Sequence, residues 1–193
     1  LAVMAGIRSH AIALAAPEEM NQNNIRKSLK DTFVMGEEIL DRAAAESSAA
    51  WNNAGTGHSA FCELNYTPEL PDGSVDVSKA IHICEQFEVS KQFWAALVRE
   101  KDLPQPRSFI RQIPHMSFVW GQDSVAFLKT RHRTLLGSPL FDGMQYTEDP
   151  SQIAEWMPLV MEGRQHGNPV AATRMAMGND VNFGVLTKER AFL

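Results

Sequence analysis

Between Ser78 and Glu100 the apolar side chains Ala80, Ile81, Cys84, Phe87, Trp94, Leu97 and Val98 recur mostly three or four residues apart, a spacing that gathers them on one face of an α-helix. Ser78 stands where a hydroxyl can cap the first turn. Just before it, TPELPDGS combines Pro71, which presets φ, with Gly73, which tolerates a positive φ, so a tight turn is expected there. From Ser108 to Trp120 the run SFIRQIPHMSFVW is rich in aromatic and β-branched residues and reads as extended. Pro114 inside it marks an edge or a break, because it has no N–H to give a ladder. The next apolar run, SVAFL (124–128), reads as the hairpin partner of that strand. Asp149-Pro150 then signals a short helix: the carboxylate caps it, the proline suits its first turn, Gln152 holds the capping-box position and Pro158 ends it. VAATRMAMG reads as a further strand, and NFGVLTKERAFL begins an amphipathic helical pattern. Ala11 to Ala16 could end a short buried helix, followed by the polar connector PEEMNQNNIRK. Helices and strands are mixed and nothing repeats, so the expected class is α/β in the broad sense that includes α+β.

Composition narrows the class further. The 193 residues are 44% apolar and 21% charged, the balance of a globular chain able to bury a core as one domain or two small ones. A net charge of −5 and a pI near 5.7 give no electrostatic reason to expect nucleic acid, and the basic cluster Lys129 to Arg133 is too short to track a phosphate backbone. Cys62 and Cys84 lack metal or redox spacing and read as reduced thiols of an intracellular protein. The opening LAVMAGIRSHAIALAA is apolar but interrupted by Arg8, Ser9 and His10. It is too short and polar for a transmembrane helix, and it lacks the basic start of a signal peptide.

The stretch WNNAGTGHSA contains Gly55-x-Gly57-x-x-Ala60, the spelling of a dinucleotide phosphate turn. Its context does not suit that role, since small polar residues precede it where a buried strand should lie and prolines follow where a helix should run. The residues themselves describe a loop. Gly55 and Gly57 allow a positive φ or a close approach, and Asn52, Asn53, Thr56, His58 and Ser59 offer hydrogen bonds. A ligand-facing loop and an ordinary polar turn both fit.

ESSAAWNNAGTGHSAFCELNYTPE closely resembles the signature of the flavin-dependent malate:quinone oxidoreductases. The resemblance continues through FEVSKQFWAALV, PRSFIRQIPHMSFVWG, SPLFDGMQYTEDPSQIAEWMPLVMEGR and VAATRMAMGNDVNFG, from about Glu38 to about Thr187. It implies a flavoprotein of the D-amino-acid-oxidase-like group, with a Rossmann-type FAD domain and a sheet-based substrate domain, that oxidises (S)-malate to oxaloacetate and passes electrons to a membrane quinone. The implied division is a partial FAD domain over residues 1–75, a helical connection over 76–106 and a substrate domain over 107–193. In such a protein Ser47, Ser48, Asn52, Asn53, Gly55, Thr56 and Gly57 belong to a second flavin-contacting segment, and Glu38 matches the acidic residue that holds the adenosine ribose. The cytoplasm is the implied location, with peripheral contact at the inner face of the membrane. The glycine-rich N-terminal turn of the family is not recognisable here, which together with the missing initiator methionine makes a fragment the expectation. A remnant that binds no flavin, or another flavin-dependent 2-hydroxy-acid dehydrogenase, are the alternatives.

Removing a hydride from a secondary alcohol requires a base for the hydroxyl proton, and histidine suits this near neutral pH. His58 is the first candidate and His115 the second, each with a backbone-bonded structural histidine as the alternative. Malate's two carboxylates call for arginine's planar fork. Arg174, which interrupts an otherwise small apolar strand, is the first choice, ahead of Arg107 and Arg111; a structural ion pair is the alternative. His82 is expected to face solvent or packing, no ligand triad supports a metal, and Met157, Met161, Met175 and Met177 read as core filling.

Overall fold

The computed structural model describes residues 48–103, 105–164 and 167–190. The expectations for Ala11 to Ala16, the connector after it, Glu38 and Ser47 lie outside those residues. In chain order the elements are α1 (Ser78–Arg99), β1 (Ile110–Gln112), β2 (His115–Trp120), α2 (Gln122–Leu135), β3 (Gln145–Thr147), α3 (Pro150–Trp156), α4 (Pro158–Met161), β4 (Val170–Met175), β5 (Asn179–Val181) and α5 (Phe183–Arg190). Helix and sheet are mixed, as the sequence pattern predicts.

Local chemistry explains most boundaries. The turn before α1 closes with Gly73 at φ +80°, its amide donating to Leu70 O at 2.9 Å. The oxygen that organises the start of α1 belongs to Asp76, not to Ser78: the Asp76 carboxylate accepts from the Ser78 amide at 2.9 Å and from the Ser78 hydroxyl. The Ser78 hydroxyl is thereby turned back toward Asp76 as a donor instead of accepting from a first-turn amide as a cap would. Its bonds to Ser78 hold the Asp76 carboxyl below the usual range. The break at Pro114 separates β1 from β2.

The segment 124–128 is helical, contrary to the hairpin expectation, and lies inside α2. Gly121, at φ +88°, turns the chain out of β2, and Val125, Leu128 and Leu135 then form the buried stripe of the helix. The strand that pairs with β2 is β4 instead. At α3 the Asp149 carboxylate accepts from Ser151 N at 2.9 Å, as a cap should. The Asp149 amide goes to Thr147 Oγ1 at 3.1 Å, so it is Thr147 rather than Gln152 that satisfies it.

The chain divides into two compact units built from interleaved stretches. The first, from described residues 48–57, 86–103, 105–111 and 180–190, centres on Leu97, Leu103 and Phe109, with Phe93, Trp94, Val98, Ile110, Val185 and Leu186 packed against them. Trp94 sets its ring edge-to-face against both Phe87 and Phe109. Strand β5 pairs with β1, and the amides of Val181 and Asn182 donate to Gly55 O at 2.6 Å and to Phe109 O at 2.7 Å.

The second unit, residues 58–85 and 112–179, holds the antiparallel sheet β2-β4-β3. In its register His115 lies opposite Met175, Ser117 opposite Thr173 and Val119 opposite Ala171, while Tyr146 faces Thr173. These residues share one face of the pleat. Val119 and Ala171 there pack on Val125 and Leu128 of α2, and Met175 joins Ala60, Phe61, Ala80, Cys84, Leu135, Phe141 and Met144. On the opposite face Val170 and Ala172 pack with Ile153, Phe118, Trp156, Met157 and Met161. Met157, Met161 and Met175 are therefore core filling, whereas Met177 is 52% exposed. Met177 departs from the expectation because it lies in the turn beyond β4, outside the pleat that buries its neighbours.

Candidate functional site

The residues Ser48 to Gly57 form an irregular loop in the first unit. Its backbone folds on itself through Asn52 N to Ala49 O at 2.9 Å, and Asn53 Oδ1 accepts from Gly55 N at 2.9 Å. Gly55 is required twice over. Its φ is +71°, and an added Cβ would run into the Asp180 carboxylate and lie 3.0 Å from Val181 O. Thr56 forms a bridge with Asp180, and at the other end of the loop a Cβ on Gly184 would sit 2.9 Å from Ser48 O. The loop is thus seated by close backbone approaches to β5 and α5. No α-helix follows it directly; the next begins at Ser78, consistent with a loop rather than a dinucleotide phosphate turn. Its donor set of serine and threonine hydroxyls and two asparagine amides carries no fixed charge. That set suits the ribityl hydroxyls and the carbonyl and imide edge of a flavin.

His58, directly after the loop in sequence, is exposed. The chain then turns inward, with Ser59 and Ala60 wholly buried and Ala60 at φ +56°. Side chains from elsewhere in the second unit take the carbonyls of this turn. Arg131, itself 0% exposed, donates to Ala60 O at 3.1 Å and to Thr67 Oγ1 at 3.0 Å. Ser117 Oγ donates to Cys62 O at 3.0 Å. Burial pulls Arg131 down to about 10, opposed by the nearby Cys62 and Glu63. Burial, with the neighbouring Glu63 adding to it, pushes the Cys62 thiol up to about 12. Because the thiolate is the nucleophile, and the greater nucleophilicity of a more basic thiolate offsets only part of its lower population, Cys62 should be alkylated by iodoacetamide at pH 8 at least about tenfold more slowly than an unperturbed thiol. Mass spectrometry of a timed reaction measures this, and rapid labelling of folded Cys62 would refute it.

His115 is 5% exposed on β2. Its Nε2 lies 3.0 Å from Asn179 O, a carbonyl that can only accept, so this bond selects the tautomer protonated at Nε2 and leaves the lone pair on Nδ1. Nδ1 is buried without a protein hydrogen-bond partner. The imidazole rests on Gly178, where an added Cβ would run into ring atoms Cγ and Cδ2 and lie 2.6 Å from Ile113 O. Phe61 packs against it in a T-shaped contact, with ring centroids 6.1 Å apart.

Arg174 projects from the other face of the same sheet. It pairs in register with Met116 and Gln145, donates to Gln145 Oε1 at 3.1 Å and places its guanidinium 5.9 Å from the Trp156 ring centre. His115 and Arg174 are consequently separated by the sheet and not brought to one pocket. Arg107 and Arg111 are exposed, on a 3-10 turn and on β1. His82 is exposed on α1, and His132 bonds Met144 O at 2.9 Å while stacking on Tyr146. Among the described residues no group of three or more His, Cys, Asp or Glu could hold a metal ion, and no helix is long and apolar enough to cross a membrane.

Arg131, Ser117 and Gly178 escaped sequence reasoning. Arg131 did carry a signal: it continues the three-residue spacing of Val125 and Leu128, which places it on the buried stripe of α2.

Residues 20–192 match the family profile described as malate:quinone oxidoreductase (Mqo), and the chain belongs to that family. It is 64% identical over 152 residues to a probable malate:quinone oxidoreductase 1 of Pseudomonas aeruginosa, an alignment covering 79% of this chain and 29% of the relative. Relatives from Stenotrophomonas maltophilia and Geobacillus kaustophilus, each named probable malate:quinone oxidoreductase, are 60% identical over the same share of this chain and cover 27% and 30% of their own lengths. The chain thus spans less than a third of the length of these curated relatives.

Proposed function

We propose that this chain is the part of a malate:quinone oxidoreductase that carries the second flavin-contacting loop and much of the substrate domain, in an enzyme that oxidises (S)-malate to oxaloacetate with a quinone as electron acceptor. The observation that carries the reading is the loop Ser48 to Gly57, which carries uncharged hydrogen-bonding side chains on a backbone seated by close glycine contacts, within the family match over residues 20–192. FAD, when bound, supplies the hydride acceptor. Ser47, Ser48, Asn52, Asn53, Gly55, Thr56 and Gly57 hold its ribityl and ring portion, and Glu38 its adenosine ribose, within a Rossmann-type FAD domain of the D-amino-acid-oxidase-like group.

His58 removes the proton from the malate hydroxyl. Its exposure leaves an imidazole nitrogen accessible to a small substrate, an access that the burial of His115 denies to the second candidate. Arg174 binds a malate carboxylate through its guanidinium fork, with Arg107 the weaker choice. Its stacking on Trp156 and its bond to Gln145 limit the fork's freedom in advance. The enzyme works in the cytoplasm against the inner face of the membrane, where its quinone resides, as a step of the tricarboxylic acid cycle.

The test is the purified protein itself. Bound oxidised flavin gives a yellow colour, and malate, rather than 2-hydroxyglutarate, should bleach it and reduce a soluble quinone. A colourless protein that takes up no added FAD would favour a non-catalytic remnant. Preferential bleaching by 2-hydroxyglutarate would favour a different 2-hydroxy-acid dehydrogenase.

A further inference from the structure

Ala60, Phe61 and Cys62 present three consecutive carbonyls, all received by side chains distant in sequence. The terminal guanidinium nitrogens of Arg131 reach Ala60 O at 3.1 Å and Phe61 O at 3.4 and 3.5 Å, and Ser117 Oγ reaches Cys62 O at 3.0 Å. The remaining guanidinium edge, Nε, is fixed on Thr67 Oγ1 at 3.0 Å, whose own hydroxyl proton goes to Leu64 O at 3.0 Å. Arg131 is fully buried, and its hydrogen bonds all go to neutral oxygens, with the nearby Glu63 offsetting only part of the cost of burial. Burying a cation without a hydrogen-bonded carboxylate is costly in a protein interior, and every guanidinium bond here is spent on the turn or on Thr67. The turn needs shaping: Ala60 sits at φ +56° with its side chain wholly buried. A non-glycine residue in that region costs about 1–2 kcal/mol, so local preference alone would not select this path. The guanidinium ties the carbonyls of residues 60 and 61 to the hydroxyl of residue 67 as a three-point brace. His58 leaves the brace two residues upstream.

We propose that Arg131 is a positioning residue for His58, holding the Ser59 to Cys62 turn so that the imidazole leaves it at one fixed point. The proposal rests on the reading of His58 as the base, but its structural half is testable without flavin or malate. Arg131→Lys keeps a cation and loses the fork, and Ser117→Ala removes only the Cys62 clamp. Ile153→Val, in the cluster on the other face of the sheet, serves as a control that loosens the unit without touching the turn. Amide hydrogen exchange and the His58 imidazole NMR signal are recorded for each.

In Arg131→Lys, exchange at Ser59 to Cys62 should quicken tenfold or more beyond any change in β4, and the His58 signal should shift or broaden. Ile153→Val should raise exchange evenly and leave His58 alone. If Arg131→Lys fails to fold, Ser117→Ala and Thr67→Val make the same comparison. Exchange at the turn that rises only in step with β4, with an unchanged His58 signal, would overturn the proposal. In protein that oxidises malate, Arg131→Lys should lower kcat by about tenfold to a hundredfold with KM within about twofold. A raised KM with unchanged kcat also overturns it. A disturbed His58 signal in Arg131→Lys together with full activity in a His58 variant would retain the brace and reject only the base assignment.

Discussion

Replacing His58 with glutamine is expected to lower kcat for malate oxidation by about 10²–10⁴-fold, the usual worth of a positioned general base. The side chain is exposed, so the substitution should leave stability within about 0.5 kcal/mol and separate catalysis from folding. The pH profile sharpens the comparison: a base that must be neutral to accept a proton gives a kcat/KM that falls on the acid side, and that limb should vanish in His58→Gln. Steady-state rates over a pH series, with flavin content checked for each variant, measure both effects. An unaltered kcat, or an acid limb that persists, would move the base elsewhere.

Gly178→Ala should have the largest effect on stability. The new methyl group would meet both the His115 ring and Ile113 O, and neither has room to withdraw, because His115 is buried against Phe61 and bonded to Asn179 O and Ile113 N is itself bonded to Gly178 O at 2.9 Å. Overpacking of this kind costs about 3 kcal/mol, which lowers the melting temperature by roughly 6–12 °C in a chain of this size. The same substitution in a His115→Ala background should cost less, though not nothing, since the backbone oxygen stays in place. Thermal unfolding of the four proteins of that cycle reads out the coupling. A Gly178→Ala protein that melts within about 1 °C of the parent would refute the packing described for His115.

The elements legible in the sequence were those with redundant signals. Helix α1 carried over twenty residues of consistent spacing, β4 was a compact run of small and apolar side chains, and α3 had both a capping carboxylate and a proline at its start. Segment 124–128 misled because five mostly apolar residues fit either period, and the discriminating fact, the spacing from Val125 through Leu135, needs a window more than twice as long. The glycine loop was legible as a loop from its letters, but not the reason for Gly55, since Asp180 lies far along the chain. Arg131 was obscured by its neighbours Lys129 and Arg133, which make a basic run look like a solvated face although its middle member is buried. The separation of His115 from Arg174 could not be read at all before the register of β2 on β4 was known, because whether two residues on different strands share a face depends on which pairs stand opposite.

The alternation along β4 makes this strand a ratchet for evolution. Losing or gaining one residue between Val170 and Met175 would exchange the environments of everything beyond the change, driving the Arg174 guanidinium in among Phe61, Phe141 and Met144 and turning the Met175 thioether out toward Trp156. Length variation within these six positions should therefore occur only in steps of two.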